Sequence, residues 1–293
     1  MHPPVRLAAL DMDGTLLATL SQTLSPRTSA ALRAAQQAGI IVAIATGRRT
    51  NYTLPALAGH GLPPETFLIT SNGAVTRTLG GDQIEQVTMP ARVARGVCQL
   101  LRPFGALVFT FDKQGRGELV LEDMDHLVGR IALWIEANRQ AIELAQPLES
   151  ALGDGEDPIQ GMVAGPVEKM RSAQQALEAS PWAEDCKSVR TEYPARDLSI
   201  LDLLPRGVTK AWALERLARR LGVDRSEVMA IGDNWNDAEM LEWAGQPVVM
   251  GNAAPDLKAQ AKKLNWRQAP TNDQDGVAQM LEQEIKRQRQ VRP

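Results

Sequence analysis

Residues 5–17, read as Val-Arg-Leu-Ala-Ala-Leu-Asp-Met-Asp-Gly-Thr-Leu-Leu, constrain what this chain can fold into more than any other stretch. An apolar run over 7–10 stops abruptly at two carboxylates, Asp11 and Asp13, which are followed by Gly14 and Thr15. A continuous apolar run bounded by turn residues reads as a strand buried on both faces, the mark of a parallel sheet. In such sheets ligands bind beyond the carboxyl ends of the strands, where these aspartates fall. Two carboxylates so close repel, so the pair calls for a cation, a proton or outward solvation. Hard oxygen donors of this kind suit Mg²⁺, which keeps several waters and is shared with a substrate phosphate. Gly14 permits a sharp turn that brings backbone N–H groups towards an anion. Taken alone, Asp-x-Asp-Gly also reads as a plain polar turn.

The chain that follows alternates in βα fashion. Ser25 and Pro26 read as an N-cap and a first helical residue, opening a helix through Ala30, Leu32 and Ala35 that stops at Gly39. A buried strand over 40–45 then ends in Thr46-Gly47-Arg48-Arg49. A strand–helix–strand unit of this length is a right-handed parallel crossover, so Thr46 falls at the same sheet edge as Asp11. A helix over 51–58 and a strand over 67–70 make a third unit, ending in Ser71-Asn72-Gly73-Ala74. There the pattern changes. Strands over 74–79 and 83–88 flank a glycine turn, and a helix over 90–101 precedes a hairpin of 107–111 and 118–121. Helices over 127–137 and 167–177, then strands over 188–192 and 198–203, complete an antiparallel α+β module. The core pattern returns with Thr209 as N-cap of a helix ending at Leu221-Gly222, and Asp224 with Glu227 forms a capping-box signature. A buried strand over 228–231 ends in Gly232-Asp233-Asn234-Trp235-Asn236-Asp237, and another over 247–250 leads into Gly251-Asn252. The basic tail from Lys286 reads as a solvated, frayed helix end.

Four of these stretches, in this order, resemble the motifs of the haloacid dehalogenase (HAD) superfamily, in its Cof-like or type IIB branch. They are Asp11-x-Asp13-Gly14-Thr15, then Thr46, then Lys210, then Gly232-Asp233-x-x-Asn236-Asp237. Asn72-Gly73-Ala74 and the segment from Asn272 to Ala278 fit the same branch, whereas Ala211 stands where its Gly-x-x-Lys-Gly motif has a glycine. The resemblance covers nearly the whole chain. It implies an α/β fold: a doubly wound parallel-sheet core from residues 1–82 and 204–293, with an α+β cap inserted at 83–203 that selects the substrate. It also implies a Mg²⁺-dependent phosphatase acting on a small phosphorylated metabolite (a sugar phosphate, nucleotide or cofactor phosphate) through an aspartyl-phosphate. On this basis Asp11 is the nucleophile and Asp13 the acid and base. Asp11, Asp13 through its backbone carbonyl, Asp233 and Asp237 form the metal site. Thr46, Lys210 and Asn236 hold the phosphoryl oxygens, with Arg48 at the substrate entrance. A phosphomutase or other phosphotransferase would use the same groups, and a non-catalytic ligand-binding relative is the remaining alternative. The presence of both Asp11 and Asp13 argues against the last.

Composition removes other classes. At 293 residues there is room for two modest domains. A net charge of -3 and 4% aromatic residues give no basis for nucleic-acid or anionic-membrane binding. No apolar run approaches the roughly 18–20 residues that span a bilayer. Cys98 and Cys186 make no disulfide framework, and the arginine of a Cys-x5-Arg phosphatase loop is absent because Phe104 and Glu192 occupy that place. His2, His60 and His126 are too scattered to suggest a zinc site. The expectation is a cytoplasmic monomer or weak homo-oligomer.

Overall fold

The computed structural model describes residues 3–153 and 155–291. The chain divides into two compact units, Met1–Glu85 with Thr209–Pro293, and Gln86–Val208. The first segment carries β1 (Leu7–Asp11), α1 (Pro26–Gln37), β2 (Ile41–Ala45), α2 (Thr50–Leu57), β3 (Phe67–Thr70), β4 (Val75–Thr78) and β5 (Gln83–Gln86). The inserted unit carries α3 (Ala91–Leu101), β6 (Leu107–Thr110), β7 (Leu119–Leu121), α4 (Asp125–Asn138), β8 (Ile142–Leu144), β9 (Gln160–Gly165), α5 (Val167–Glu178), β10 (Cys186–Tyr193) and β11 (Leu198–Pro205). The chain then returns through α6 (Lys210–Arg220), β12 (Val228–Gly232), α7 (Ala238–Trp243), β13 (Gln246–Val249), α8 (Pro255–Lys263), β14 (Arg267–Gln268) and α9 (Gly276–Val291).

Strands of the first unit order as β14-β13-β12-β1-β2-β3-β4-β5. Every pair from β14 to β3 is parallel, and β4 turns back antiparallel on β3. The alternation of side chains along β1 explains its unbroken apolar run. Leu7 and Ala9 pack with Ala213, Leu214 and Leu217 of α6 and Met240 and Leu241 of α7. Ala8 and Leu10 point the other way, among Leu32 and Ala35 of α1, Leu57 of α2 and Leu281 of α9. Helices therefore cover both faces, and each buried leucine on β1 contributes about 1.5–3 kcal/mol by leaving water. Because β1 lies centrally between β2 and β12, its carboxyl end is the natural place for a site.

Helix ends follow the expected chemistry. Ser25 Oγ accepts from the Thr28 N–H at 3.0 Å, Pro26 opens α1, and Gly39 takes φ +88° beyond its end. The capping box of Asp224 and Glu227 forms on a short 3₁₀ turn before β12. From Lys286 the tail continues α9 to Val291 with Lys286, Arg289 and Gln290 exposed, while the helix before it is docked. Met280, Leu281 and Ile285 are buried, Gln288 Nε2 donates to Val5 O at 2.6 Å, and the Val5 N–H donates to Glu284 Oε1 at 3.3 Å. The apolar stripe at helical spacing that docks α9 ends at Ile285, before the basic residues begin.

The inserted unit has its own sheet, β10-β11-β9-β6-β7-β8, antiparallel except for the parallel pair β7–β8. Leu201, Leu203, Val163 and Phe109 pack beneath Val93, Val97 and Leu101 of α3 and Met170 and Leu177 of α5. The unit extends from Gln86 to Val208 because β5 pairs on the first unit's sheet and β11 continues to Pro205. Cys98 and Cys186 are free, buried thiols, each pushed up to about 12 mainly by burial, and so remain protonated. His60 Nδ1 pairs with Ser29 Oγ at 2.7 Å, while His2 and the His126 side chain lie outside the described residues. No helix among the described residues is long and apolar enough to cross a membrane.

Candidate active site

The last residue of β1 and the first residue of α6 meet beneath the sheet edge. Lys210 Nζ donates to Asp11 Oδ1 at 2.6 Å and to Asp237 Oδ1 at 2.7 Å. All three side chains are withdrawn from water, with exposures of 1% for Lys210, 6% for Asp11 and 0% for Asp237. Thr209 caps α6 by accepting from the Trp212 N–H at 3.1 Å, which fixes where the lysine leaves the backbone. Burial alone would lower the Lys210 pKa, but the carboxylates of Asp11 and Asp237 reverse this and hold it above the usual lysine range. Asp11 is raised well above the ordinary aspartate range, first by burial and then by Asp237, against the opposing charge of Lys210. One ammonium thus serves two buried carboxylates, and the negative charge is in excess.

A third carboxylate adds to that excess. Asp11, Asp233 and Asp237 each offer an oxygen within 4.8 Å of the others. Asp233 is pushed up to about 7, chiefly by burial and by Asp237. Its Oδ1 accepts from Thr15 Oγ1 at 3.3 Å, and its Oδ2 lies 3.5 Å from Asn252 Nδ2. Gly14, at φ +79°, lies directly against it: a Cβ there would come within 2.3 Å of Asp233 Oδ2. Asp237 Oδ2 accepts from the backbone N–H groups of Asp233 and Asn234, at 3.1 and 3.2 Å. These carboxylates, hard oxygen donors gathered within 4.8 Å of one another, fit a divalent cation such as Mg²⁺.

The remaining motif residues surround this cluster. Asp13 is half-exposed, and its carboxylate is gripped by Arg48, with Nε to Oδ2 at 2.8 Å and Nη2 to Oδ1 at 2.5 Å. The Arg48 guanidinium also lies 4.9 Å from the Tyr52 ring centroid. Thr46 is buried, and its Oγ1 accepts from the Arg48 N–H at 3.1 Å, leaving its hydroxyl proton to donate elsewhere. Beneath it, the Ser71 and Asn72 N–H groups donate to the carbonyls of Arg48 and Thr46, at 2.9 and 3.0 Å. Both residues adopt positive φ, 50° and 53°, and the Ser71 hydroxyl is fully buried without a hydrogen-bond partner. Asn236 Oδ1 is likewise buried without a partner, as at sites completed by a ligand or water.

Residues 8–281 match the family model of haloacid dehalogenase-like hydrolases. The chain belongs to that family. A relative described as HMP-PP phosphatase, from Serratia proteamaculans, is 34% identical over 88% of this chain and 88% of its own. Phosphatase YwpJ of Bacillus subtilis is 30% identical over 94% of this chain and 99% of its own length. Among solved structures, a haloacid dehalogenase-like hydrolase from B. subtilis superposes with a TM-score of 0.73 at 27% identity, covering 95% and 99% of the two chains.

In this HAD-like hydrolase, Asp11, Lys210, Asp233 and Asp237 come together, while the Asp13 side chain stands apart on Arg48. Sequence reasoning gave no part to Thr15 or Asn252, both of which reach Asp233. Asn72-Gly73-Ala74 fits the Cof-like branch by sequence, with no side-chain role assigned to Ser71 or Asn72. The Asn-Gly dipeptide signalled the positive φ there, but nothing local signalled that the turn supports Thr46.

Proposed function

We propose that this enzyme is a Mg²⁺-dependent phosphatase that hydrolyses a small phosphorylated metabolite through an aspartyl-phosphate on Asp11. The observation that carries this reading is the buried Asp11–Lys210–Asp237 arrangement beside Asp233. Asp11 Oδ1 is engaged by Lys210, which leaves Oδ2 to attack phosphorus. Asp11 and Asp233, with the backbone carbonyl of Asp13, would hold Mg²⁺. The oxygens of Asp237 are engaged by Lys210 and by two backbone N–H groups, so its part is to steady the lysine and the Asp233 turn. Bound there, Mg²⁺ supplies the positive charge that keeps the carboxylates ionised and offsets the phosphate dianion.

As Asp11 attacks, the bond from phosphorus to the leaving oxygen breaks, and Asp13, having taken up a proton from solvent as substrate displaces it from Arg48, passes that proton to the leaving oxygen. Asp13 then takes a proton from water, whose oxygen attacks phosphorus and releases Asp11 and inorganic phosphate. Arg48 would trade Asp13 for substrate, because a phosphate dianion can accept the same two-pronged guanidinium contact that Asp13 accepts. Thr46, Lys210 and Asn236 supply donors to the equatorial oxygens. The inserted unit, Gln86–Val208, carries none of these residues, and we assign it the choice of leaving group. The YwpJ relative supports phosphatase activity, and the HMP-PP phosphatase relative puts HMP-PP in the first panel to be assayed.

Asp11→Asn tests the reading directly. It keeps shape and a partner for Lys210 but removes the attacking charge, so turnover should fall by roughly 10³-fold or more with the fold intact. A variant that keeps a substantial share of wild-type turnover would show that Asp11 is not the nucleophile. Chelator should abolish wild-type turnover and added Mg²⁺ restore it.

A further inference from the structure

We propose that Asn252 is a positioning residue for the metal-binding carboxylate of Asp233, linking it to the turn that opens α9. This inference rests on the Mg²⁺ site proposed above.

The link is a chain of oriented hydrogen bonds. Asn252 Nδ2 donates to Gly14 O at 2.8 Å and lies 3.5 Å from Asp233 Oδ2. Its Oδ1 accepts from the Asn272 N–H at 3.0 Å, which fixes the amide so that the donor faces the site. The Asn272 side chain, itself buried, donates from Nδ2 to Leu17 O at 2.9 Å. Asp273 then accepts from both the N–H and the hydroxyl of Thr19, each at 2.8 Å. Two adjacent residues after β14 thus hold three points of the segment that follows β1.

Why this should matter to Asp233 follows from sterics. The Gly14 backbone packs against the Asp233 carboxylate so closely that no Cβ fits between them. Any relaxation of the Gly14 carbonyl therefore shifts what the carboxylate rests on. Only Thr15 Oγ1, at 3.3 Å, provides another side-chain donor to it among the described residues. Asn252 is exposed, so its replacement removes little buried packing and should leave the fold intact. Metal-bound carboxylates depend on such supporting donors, whose loss costs about 10–100-fold in metal affinity.

The test is a Mg²⁺ titration of the full chain by calorimetry without substrate, on wild type and Asn252→Ala, beside thermal unfolding of each in chelator. The expected result is a Mg²⁺ dissociation constant raised about 10–100-fold, with unfolding in chelator close to wild type. A purely structural role would instead lower unfolding in chelator and leave Mg²⁺ affinity unchanged, which would overturn the inference. Wild-type protein that binds no Mg²⁺ would overturn both this inference and the metal site beneath it. Should Asn252→Ala fail to fold, Asn252→Ser takes its place in the titration: weakened Mg²⁺ binding supports the inference, and unchanged binding overturns it.

Discussion

Asp233 and Lys210 both hold their protons more tightly than usual, and the consequence of each can be measured. The Asp233 carboxyl, pushed up to about 7 by burial and by Asp237, binds a proton in the folded chain that it gives up near 3.8 when unfolded. A carboxyl with a raised folded pKa contributes stability that is fully present below the unfolded value. That contribution is lost as pH rises through the folded one. In chelator, the Asp233 contribution should therefore decline between about pH 4 and pH 7. Asp11, raised in the same direction, adds to the slope. Thermal unfolding of wild type and Asp233→Asn across that range checks this: the variant should lose part of the decline, and parallel curves would contradict it. If the proposed site holds Mg²⁺, adding it should restore stability at neutral pH, because a cation would favour the deprotonated carboxylates. Lys210 behaves as the partner without which two buried carboxylates stand uncompensated. Lys210→Met should cost about 3–5 kcal/mol in denaturant unfolding and abolish turnover. A loss below about 1 kcal/mol, the level of a surface ion pair, would mean that the pair is solvated.

The site is an assembly of element ends, and its tolerances are set where two ends touch. Gly73, in the turn after β3 at φ +107°, is the clearest case: a Cβ would come within 2.3 Å of Thr209 O, the N-cap of α6. Gly73→Ala therefore both strains the backbone and displaces the start of the helix that carries Lys210. We expect a loss of about 1–3 kcal/mol in denaturant unfolding, with a fall in kcat beyond what reduced folding explains. Unchanged kcat in the folded fraction would show that α6 absorbs the displacement without moving its lysine. This coupling explains what was and was not legible in the sequence. Strands such as β1, β2, β3 and β12 are apolar runs bounded by turn chemistry, and their residues declare them. β9 does not, because Gln160-Gly161-Met162-Val163-Ala164-Gly165 begins with a polar residue and carries two glycines. It becomes a central strand only through pairing with β6 and β11, and Gly161 serves there by admitting Leu203 and Phe109 close to the backbone. The two-residue β14 is likewise defined by its partner β13 alone. At the site, Asp11 and Lys210 could be read from motif order, but Asn252 could not. Its meaning lies in reaching Gly14 across 238 residues of chain.

Across the whole molecule, every residue assigned to chemistry belongs to the unit Met1–Glu85 with Thr209–Pro293. In the proposed mechanism Asp11, Asp13, Thr46, Arg48, Lys210, Asp233, Asn236 and Asp237 serve the metal and the phosphoryl group, and the phosphoryl group is common to all phosphate esters. Nothing in that set distinguishes one leaving group from another, which is why the proposal assigns that choice to Gln86–Val208. Its sheet carries a polar pair: Gln160 Nε2 donates to Asp202 Oδ1 at 2.7 Å across β9 and β11. On that sheet Leu201 and Leu203, the neighbours of Asp202, point into the core beneath α3 and α5. By strand alternation Asp202 faces away from that core. If the unit selects the leaving group, Gln160→Ala and Asp202→Ala should change kcat/KM unequally among phosphate esters. An aryl phosphate, which leaves readily and offers few polar contacts, should change least. The best metabolite substrate should lose about 1–3 kcal/mol of transition-state binding for each polar contact removed. The measurement is kcat/KM for both esters across the two variants, with folding checked by thermal unfolding. An equal fall on both esters would assign the inserted unit to the chemistry or to stability, and the choice of substrate would then return to residues around Arg48 and Tyr52.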